Sequence, residues 1–166
     1  MQTDRLDARE LDYWTLRALA HDDRPLVFVA TEPQIVATVA SGDFSRMDQR
    51  VSASTDWADA AAVLERVADL RATRLDDGVT RVEARFAGLP DLTLAAHGEG
   101  PTLRVALLRA FVRARFGDTV GPVPGEPHVV QNGQVTAHQA GAPLPHGGQR
   151  RDAPRDTHEI GALPRP

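Results

Sequence analysis

Glycine and proline are concentrated at one end of this 166-residue chain, and this distribution limits the part of the sequence that can build a hydrophobic core. From Asp118 to Pro166, 15 of 49 residues are glycine or proline, and none is aromatic. Such a stretch buries too little apolar surface to offset the entropy lost on ordering. The sequence therefore predicts a single domain over residues 1–117 and a largely extended or disordered tail over residues 118–166.

One segment of the tail departs from this composition. Val129–Thr136 places Asn132-Gly133 between two short β-prone runs, a pattern typical of a type I′ hairpin. A lone hairpin is only marginally stable in water. This hairpin would therefore have to dock on the body or on a second subunit.

Residue usage and charge exclude several classes of function. The chain has no cysteine, which removes disulfides, thiolate nucleophiles and cysteine-based zinc sites. Its formal net charge of -4 argues against general nucleic-acid binding, which normally needs a basic excess. No window approaches the roughly 18 apolar residues of a membrane span, and the first residues lack the apolar core of a signal peptide. We therefore expect a cytoplasmic protein without a membrane partner.

The apolar periodicity of the body predicts an α+β fold, a small antiparallel sheet packed with about three helices. The predicted helices cover 8–20, 57–68 and 101–117. The predicted strands cover 26–30, a hairpin of 71–75 and 79–86, and 92–96, whereas 33–40 fits either a strand or a helix. The last helix is apolar well beyond one stripe, which places it at the centre of the fold or at an interface and favours a homo-oligomer.

Polar and aromatic side chains concentrate at Leu11–Trp14, at Ser54–Ala58 and at the start of the last helix, Gly100–Thr102. The only tyrosine and both tryptophans lie in the first two segments. Flat side chains beside hydroxyls and carboxylates can stack on a ligand ring and bond its edges. Core packing and helix capping select the same residue types. The glycines before the last helix do not form a dinucleotide fingerprint, because Leu103 stands at the third glycine position.

No pattern specifies catalysis or a metal. The tail histidines have spacings that fit no helical or finger-type metal site; they are His128, His138, His146 and His158. No serine lies in a nucleophile elbow, and no carboxylate pair has a spacing that specifies acid–base work. We therefore predict a protein that is not an enzyme and needs neither a cofactor nor a metal.

Taken in order, the three segments resemble the NinX-like family of small phage proteins over about residues 6–120. The resemblance is carried by Leu11–Trp14, Ser54–Ala58, Gly100–Thr102, Leu108–Val112 and Phe116–Asp118. The chain departs from the family pattern at two places. It has Ala60–Ala62 where the family has glycine and proline, and Val82–Ala84 where the family has a tryptophan before an alanine.

The resemblance implies a phage or prophage origin and an accessory role in the cytoplasm of an infected bacterium. The family supplies no reaction, so three hypotheses stay open. The protein sequesters a small nucleotide-type ligand such as a host immune signal without turnover, inhibits a host protein as an interaction module, or hydrolyses such a signal.

The first hypothesis assigns roles to residues of these segments. Tyr13, Trp14 or Trp57 would stack on the ligand. Ser54, Thr55 and Asp56 would bond a base or ribose, and Thr102 with Arg109 would hold a phosphate. The predicted ligand-binding residues are Asp12, Tyr13, Trp14, Ser54, Thr55, Asp56, Trp57, Thr102 and Arg109.

Overall fold

Three α-helices are present in the part of the chain that the computed structural model describes, residues 1–20, 26–41, 44–45, 48–87 and 95–138. They are α1, Ala8–Leu19, α2, Trp57–Leu64, and α3, Leu103–Phe116, and a short 3₁₀ helix, Thr3–Arg5, precedes them. Side-chain oxygens of Asp56 and Thr102 accept hydrogen bonds from the first-turn amides of Ala58 and Val105. These bonds satisfy donors that have no partner inside the helix, which explains why α2 and α3 begin where they do.

Strands from the same described ranges form two antiparallel sheets. In chain order the strands are β1, Leu26–Ala30, β2, Val36–Ser41, β3, Phe44–Ser45, β4, Gln49–Arg50, β5, Val67–Arg74, β6, Thr80–Phe86, β7, Ala96–Gly100, β8, His128–Gln131, and β9, Gln134–His138. The larger sheet has the order β3-β2-β1-β8-β9, and β4 also pairs with β2. The smaller sheet has the order β5-β6-β7. The predicted α+β class with antiparallel sheets is thus confirmed.

The helix α3 packs on the inner face of the smaller sheet and also contacts α1 and α2. Leu107, Leu108 and Phe111 are fully buried, and the Phe111 ring meets Phe86 of β6 edge to face with centroids 5.1 Å apart. Helix and sheet approach so closely at Gly98 that a Cβ atom there would lie 2.3 Å from a backbone oxygen of α3. The apolar side chains around α3 therefore pack inside the chain, and they give no separate reason to expect a second subunit.

The end of α2 differs from the predicted bound. The helix stops at Leu64 instead of continuing to residue 68, because the chain enters β5 at Val67, which pairs with Phe86. Pairing with β6, which is irregular only between Val67 and Asp69, offers this segment backbone hydrogen bonds that outweigh its helical pattern. The hairpin of β5 and β6 is present as predicted, and β5 is longer than expected.

The start of α3 also differs from the prediction, because the helix begins at Leu103 instead of Pro101, with the Thr102 side chain as its cap. The ambiguous stretch 33–40 contains β2 and is therefore largely extended. The last strand of the smaller sheet is β7 at Ala96–Gly100, four residues beyond the predicted start, and residues 92–94 of the predicted strand lie outside the described residues.

The larger sheet includes strands from beyond residue 117. β8 pairs with β1, and the turn into β9 has Asn132 and Gly133 at φ values of 50° and 71°. Val130 is buried in the common core, and Arg17 of α1 donates two hydrogen bonds to the carbonyl oxygen of Gly133, at 2.6 and 3.0 Å. The hairpin of β8 and β9 is therefore docked on the body. The rest of the predicted tail, residues 139–166, lies outside the described residues.

Candidate functional site

Three of the predicted site residues, Asp12, Ser54 and Trp57, are linked through Arg104. The Oδ1 atom of Asp12 accepts a hydrogen bond from the backbone amide of Ser54 at 2.6 Å. The carbonyl oxygen of Ser54 in turn accepts a bond from Nε of Arg104 at 2.9 Å. The guanidinium carbon of Arg104 lies 5.4 Å from the centre of the Trp57 indole. Trp57 and Arg104 stand in the first turns of α2 and α3, so these two turns are neighbours.

The solvent-facing part of this cluster consists of the Trp57 indole and the Arg104 guanidinium, which we call the Trp57–Arg104 surface. Trp57 is 39% exposed, unlike the other tryptophan of the chain. Of the three guanidinium nitrogens of Arg104, only Nε makes a hydrogen bond within the described ranges. The two terminal nitrogens of this guanidinium are therefore available to a ligand.

Three predicted polar residues lie at the starts of the same helices, and each is exposed and already engaged locally. The Thr55 hydroxyl donates to the carbonyl oxygen of Ser52 at 3.2 Å. Asp56 and Thr102 cap α2 and α3 through their side-chain oxygens, at 2.9 and 3.2 Å. These contacts are sufficient to explain the residue types, although an oxygen that accepts one hydrogen bond can accept a second.

Asp12 is the titratable group of the cluster whose environment is most altered. Burial raises the pKa of its carboxyl above the usual 3.8, because the charged form loses water. The hydrogen bonding from Ser54 opposes this effect, the nearby Asp59 adds to it, and the charge of Arg104 opposes it. Desolvation prevails, so Asp12 holds its proton more tightly than an exposed aspartate does.

Tyr13 and Trp14 are core side chains, with 0% and 5% exposure. The Tyr13 hydroxyl lies 2.9 Å from Nε2 of His128, and the Trp14 ring packs edge to face against Phe116 with centroids 5.0 Å apart. The guanidinium of Arg17 lies 4.4 Å from the centre of the Trp14 ring. No ring face of either residue remains for a ligand, so the predicted stacking role is not supported for this pair.

Arg109 is bound to the backbone of its own chain. Its Nε and Nη2 atoms donate to the carbonyl oxygen of Leu6 at 3.0 and 2.6 Å, and Nη1 donates to that of Glu99 at 2.7 Å. Burial lowers its pKa, and the charges of Asp4 and Asp7 oppose that shift. The side chain joins α3 to the N-terminal segment and to β7. A phosphate could reach these donors only by displacing the carbonyl groups, so Arg109 is not part of an accessible site with Thr102.

Arg104 and His128 take part in these contacts although the predicted site did not include them. Arg104 is one of four arginines on α3, and only its position in the first turn, two residues after the capping Thr102, distinguishes it in the sequence. His128 gave no usable signal, because its contact with Tyr13 joins residues 115 positions apart. Contacts of this range are set by the tertiary fold.

A separate pocket of about 150 Å³ lies between α1, the larger sheet and α2. Its walls are largely apolar, and Gln49, Asp59 and Arg66 contribute polar groups. A cavity of this size can enclose a single ring. None of the nine predicted ligand-binding residues lines it.

Comparison with known proteins leaves function to be inferred from this chemistry. No protein-family model matches the chain, and no curated protein matches it. Within the described residues no group of three or more histidine, cysteine, aspartate or glutamate side chains is arranged to hold a metal ion. None of the helices in those ranges is both long enough and apolar enough to cross a membrane.

Proposed function

We propose that this protein binds a small anionic, nucleotide-type ligand without turnover, and that the Trp57–Arg104 surface contacts the ring and a phosphate of that ligand. One observation carries the proposal: a 39% exposed indole lies beside a guanidinium whose terminal nitrogens are unbonded within the described residues. Both groups are in the first turns of adjacent helices, so a small molecule can touch both.

The two side chains match the two chemical parts of a nucleotide. An exposed indole offers a π face, and stacking of a base on an aromatic side chain contributes about 1–3 kcal/mol. A planar guanidinium can donate two parallel hydrogen bonds to phosphate oxygens. The bond from Nε of Arg104 to Ser54 fixes the side chain, which reduces the entropy lost when a ligand binds.

The other predicted ligand-binding residues either position or border the Trp57–Arg104 surface, or make their contacts inside the fold. Asp12 and Ser54 position Arg104, since the Ser54 amide is bound to Asp12 and the Ser54 carbonyl to Arg104. Thr55, Asp56 and Thr102 border the surface and offer oxygen atoms to a base edge or ribose. The proposal does not use Tyr13, Trp14 or Arg109, whose contacts are inside the fold.

The biological role that we propose is anti-defence by sequestration. The resemblance to NinX-like phage proteins supports an accessory protein acting in the cytoplasm of an infected bacterium. A protein that binds a nucleotide immune signal in stoichiometric amounts lowers its free concentration by mass action, and needs no catalytic group.

Calorimetric titration with a panel of cyclic nucleotides and ADP-ribose derivatives tests this proposal, alongside native mass spectrometry of the protein as purified. Trp57→Ala and Arg104→Gln should each weaken binding about tenfold or more, the effect of losing roughly 1.4 kcal/mol. Leu103→Ala is the matched control, because Leu103 is also 39% exposed at the start of α3 and lacks a polar group.

Ala62→Leu distinguishes the Trp57–Arg104 surface from the pocket beside α2, which Ala62 lines. We expect this variant to bind as the unmodified protein does. The proposal fails if folded protein binds no member of the panel at tens of micromolar. It also fails if Ala62→Leu abolishes binding while Trp57→Ala and Arg104→Gln leave it intact.

A further inference from the structure

The smaller sheet has two edges, and within the described part of the chain only the β7 edge is covered. At the β7 edge, the carbonyl oxygens of His97 and Glu99 accept hydrogen bonds from Arg113 and Arg109, at 2.5 and 2.7 Å. At the other edge, no described strand pairs with the outer side of β5. β5 has eight residues, and all but the first are exposed. A long exposed edge strand can pair with another chain.

The register of the hairpin shows which backbone groups of β5 face this open edge. The amide of Leu75 donates to the carbonyl oxygen of Val79 at 2.8 Å, beside the turn that joins β5 to β6. In an antiparallel pair, hydrogen-bonded and non-hydrogen-bonded positions alternate. The positions Asp69, Arg71 and Thr73 are therefore bonded to β6. The amides and carbonyls of Leu70 and Ala72 point to the open edge.

Charge favours one register for pairing of β5 with a second copy of itself, in which Asp69, already paired with Arg85 of β6 at 3.0 Å, gains a second cationic partner. If Leu70 lies opposite its own symmetry mate, Asp69 of each copy lies opposite Arg71 of the other, on the outer face of the sheet. This pair occupies a non-hydrogen-bonded position, where cross-strand side chains are closest. A shift of one residue, with Arg71 opposite itself, would oppose like charges.

The apolar face of the strand supports the same register. Leu70 is 39% exposed, although it pairs with the buried Ala84 of β6 on the inner face of the sheet. Opposite its mate, Leu70 would cover an equivalent Leu70. Apolar and opposite-charge pairs each contribute about 0.2–1 kcal/mol in antiparallel sheets.

We propose that two copies of this chain associate through β5, antiparallel and centred on Leu70, so that the two three-stranded sheets join into one continuous sheet. The backbone groups of Leu70 bond reciprocally to those of its mate. The Asp69–Arg71 pair forms twice, once on each side of the two-fold axis. This interface is independent of the ligand-binding proposal and of the buried helix α3.

Sedimentation velocity over a concentration series tests this interface. The full chain should sediment as a particle of twice its 18.0 kDa. Asp69→Arg and Arg71→Asp should each give monomers, because each places two like-charge pairs across the interface. An equimolar mixture should restore the dimer, because the Asp69→Arg copy presents two arginines opposite two aspartates of the Arg71→Asp copy.

Arg81→Asp makes the same change of charge on β6, away from the open edge, and should leave the dimer intact. Circular dichroism of each variant establishes that it is folded. A folded monomer at all concentrations overturns the proposal, as does a dimer that both single variants retain. Monomeric single variants that fail to associate in the mixture overturn the register centred on Leu70.

Discussion

Replacing Arg109 by methionine should lower the free energy of unfolding by about 2–4 kcal/mol and leave ligand binding by the folded protein unchanged. Arg109 makes three hydrogen bonds to two carbonyl oxygens, those of Leu6 and Glu99. A hydrogen bond to a charged group contributes about 1.5–3 kcal/mol. The two bonds to Leu6 share one acceptor, so the loss is less than three times that value. Methionine retains much of the apolar stem, which limits the packing cost.

Urea unfolding followed by tryptophan fluorescence measures this effect, because Trp14 is buried and becomes exposed on unfolding. With a denaturant slope of about 2 kcal/mol/M, the midpoint should fall by about 1–2 M. Arg81→Met is the control, since Arg81 pairs with Glu99 on the surface at 49% exposure and should contribute less than about 1 kcal/mol. An Arg109→Met variant with an unchanged midpoint would refute the structural role. Loss of ligand binding at unchanged stability would return Arg109 to the ligand site.

Three further substitutions test the core and its buried polar groups. Burial raises the folded-state pKa of Asp12 above 3.8, so the stability that this group contributes is lost as pH rises through the folded pKa. The urea midpoint of Asp12→Asn should therefore fall less between acid and neutral pH than the midpoint of the unmodified protein. Gly98→Ala should lower the free energy of unfolding by about 3 kcal/mol or prevent folding, because the new Cβ would meet the α3 backbone. Gly121→Ala is the control, because Gly121 has open space around it and the urea midpoint should change little. Tyr13→Phe removes the buried partner of His128 and should cost about 1–3 kcal/mol by urea unfolding, and an unchanged midpoint would show that this contact is not stabilising.

Local signals in the sequence located the starts of α1 and α2, because the residues that begin a helix lie close together in the chain. Asp56 stands directly before α2 and accepts a bond from the Ala58 amide, whereas α3 begins two residues after the predicted Pro101, where Thr102 accepts a bond from the Val105 amide. Alternation of apolar and charged residues similarly located β6, where every second residue is buried. The end of α2 was not predictable in this way, because Val67 leaves the helical pattern to pair with Phe86 on another strand.

In the candidate site, too, some features follow from local sequence signals and others depend on distant contacts. Trp14 and Trp57 each lie in an apolar helical stripe, and both were assigned to the same ligand site from sequence. Trp14 lies in the core because Tyr13, Phe116 and Arg17 surround its ring, whereas Trp57 remains 39% exposed with the Arg104 guanidinium placed over it. Nothing within a few residues of either tryptophan distinguishes these two outcomes.

The sequence by itself determined the α+β class, the starts of α1 and α2 and the tight turns, because these follow from side-chain periodicity, local capping and positive-φ positions such as Asn132 and Gly133. Only the tertiary structure decided that Arg109 binds backbone carbonyls 103 and 10 residues away, that Arg104 lies over Trp57, and that no described strand pairs with the outer side of β5. Each of these outcomes depends on which distant surfaces meet when the core closes. Burial by distant residues, rather than residue type, determines which polar and aromatic groups of this chain remain available to a partner.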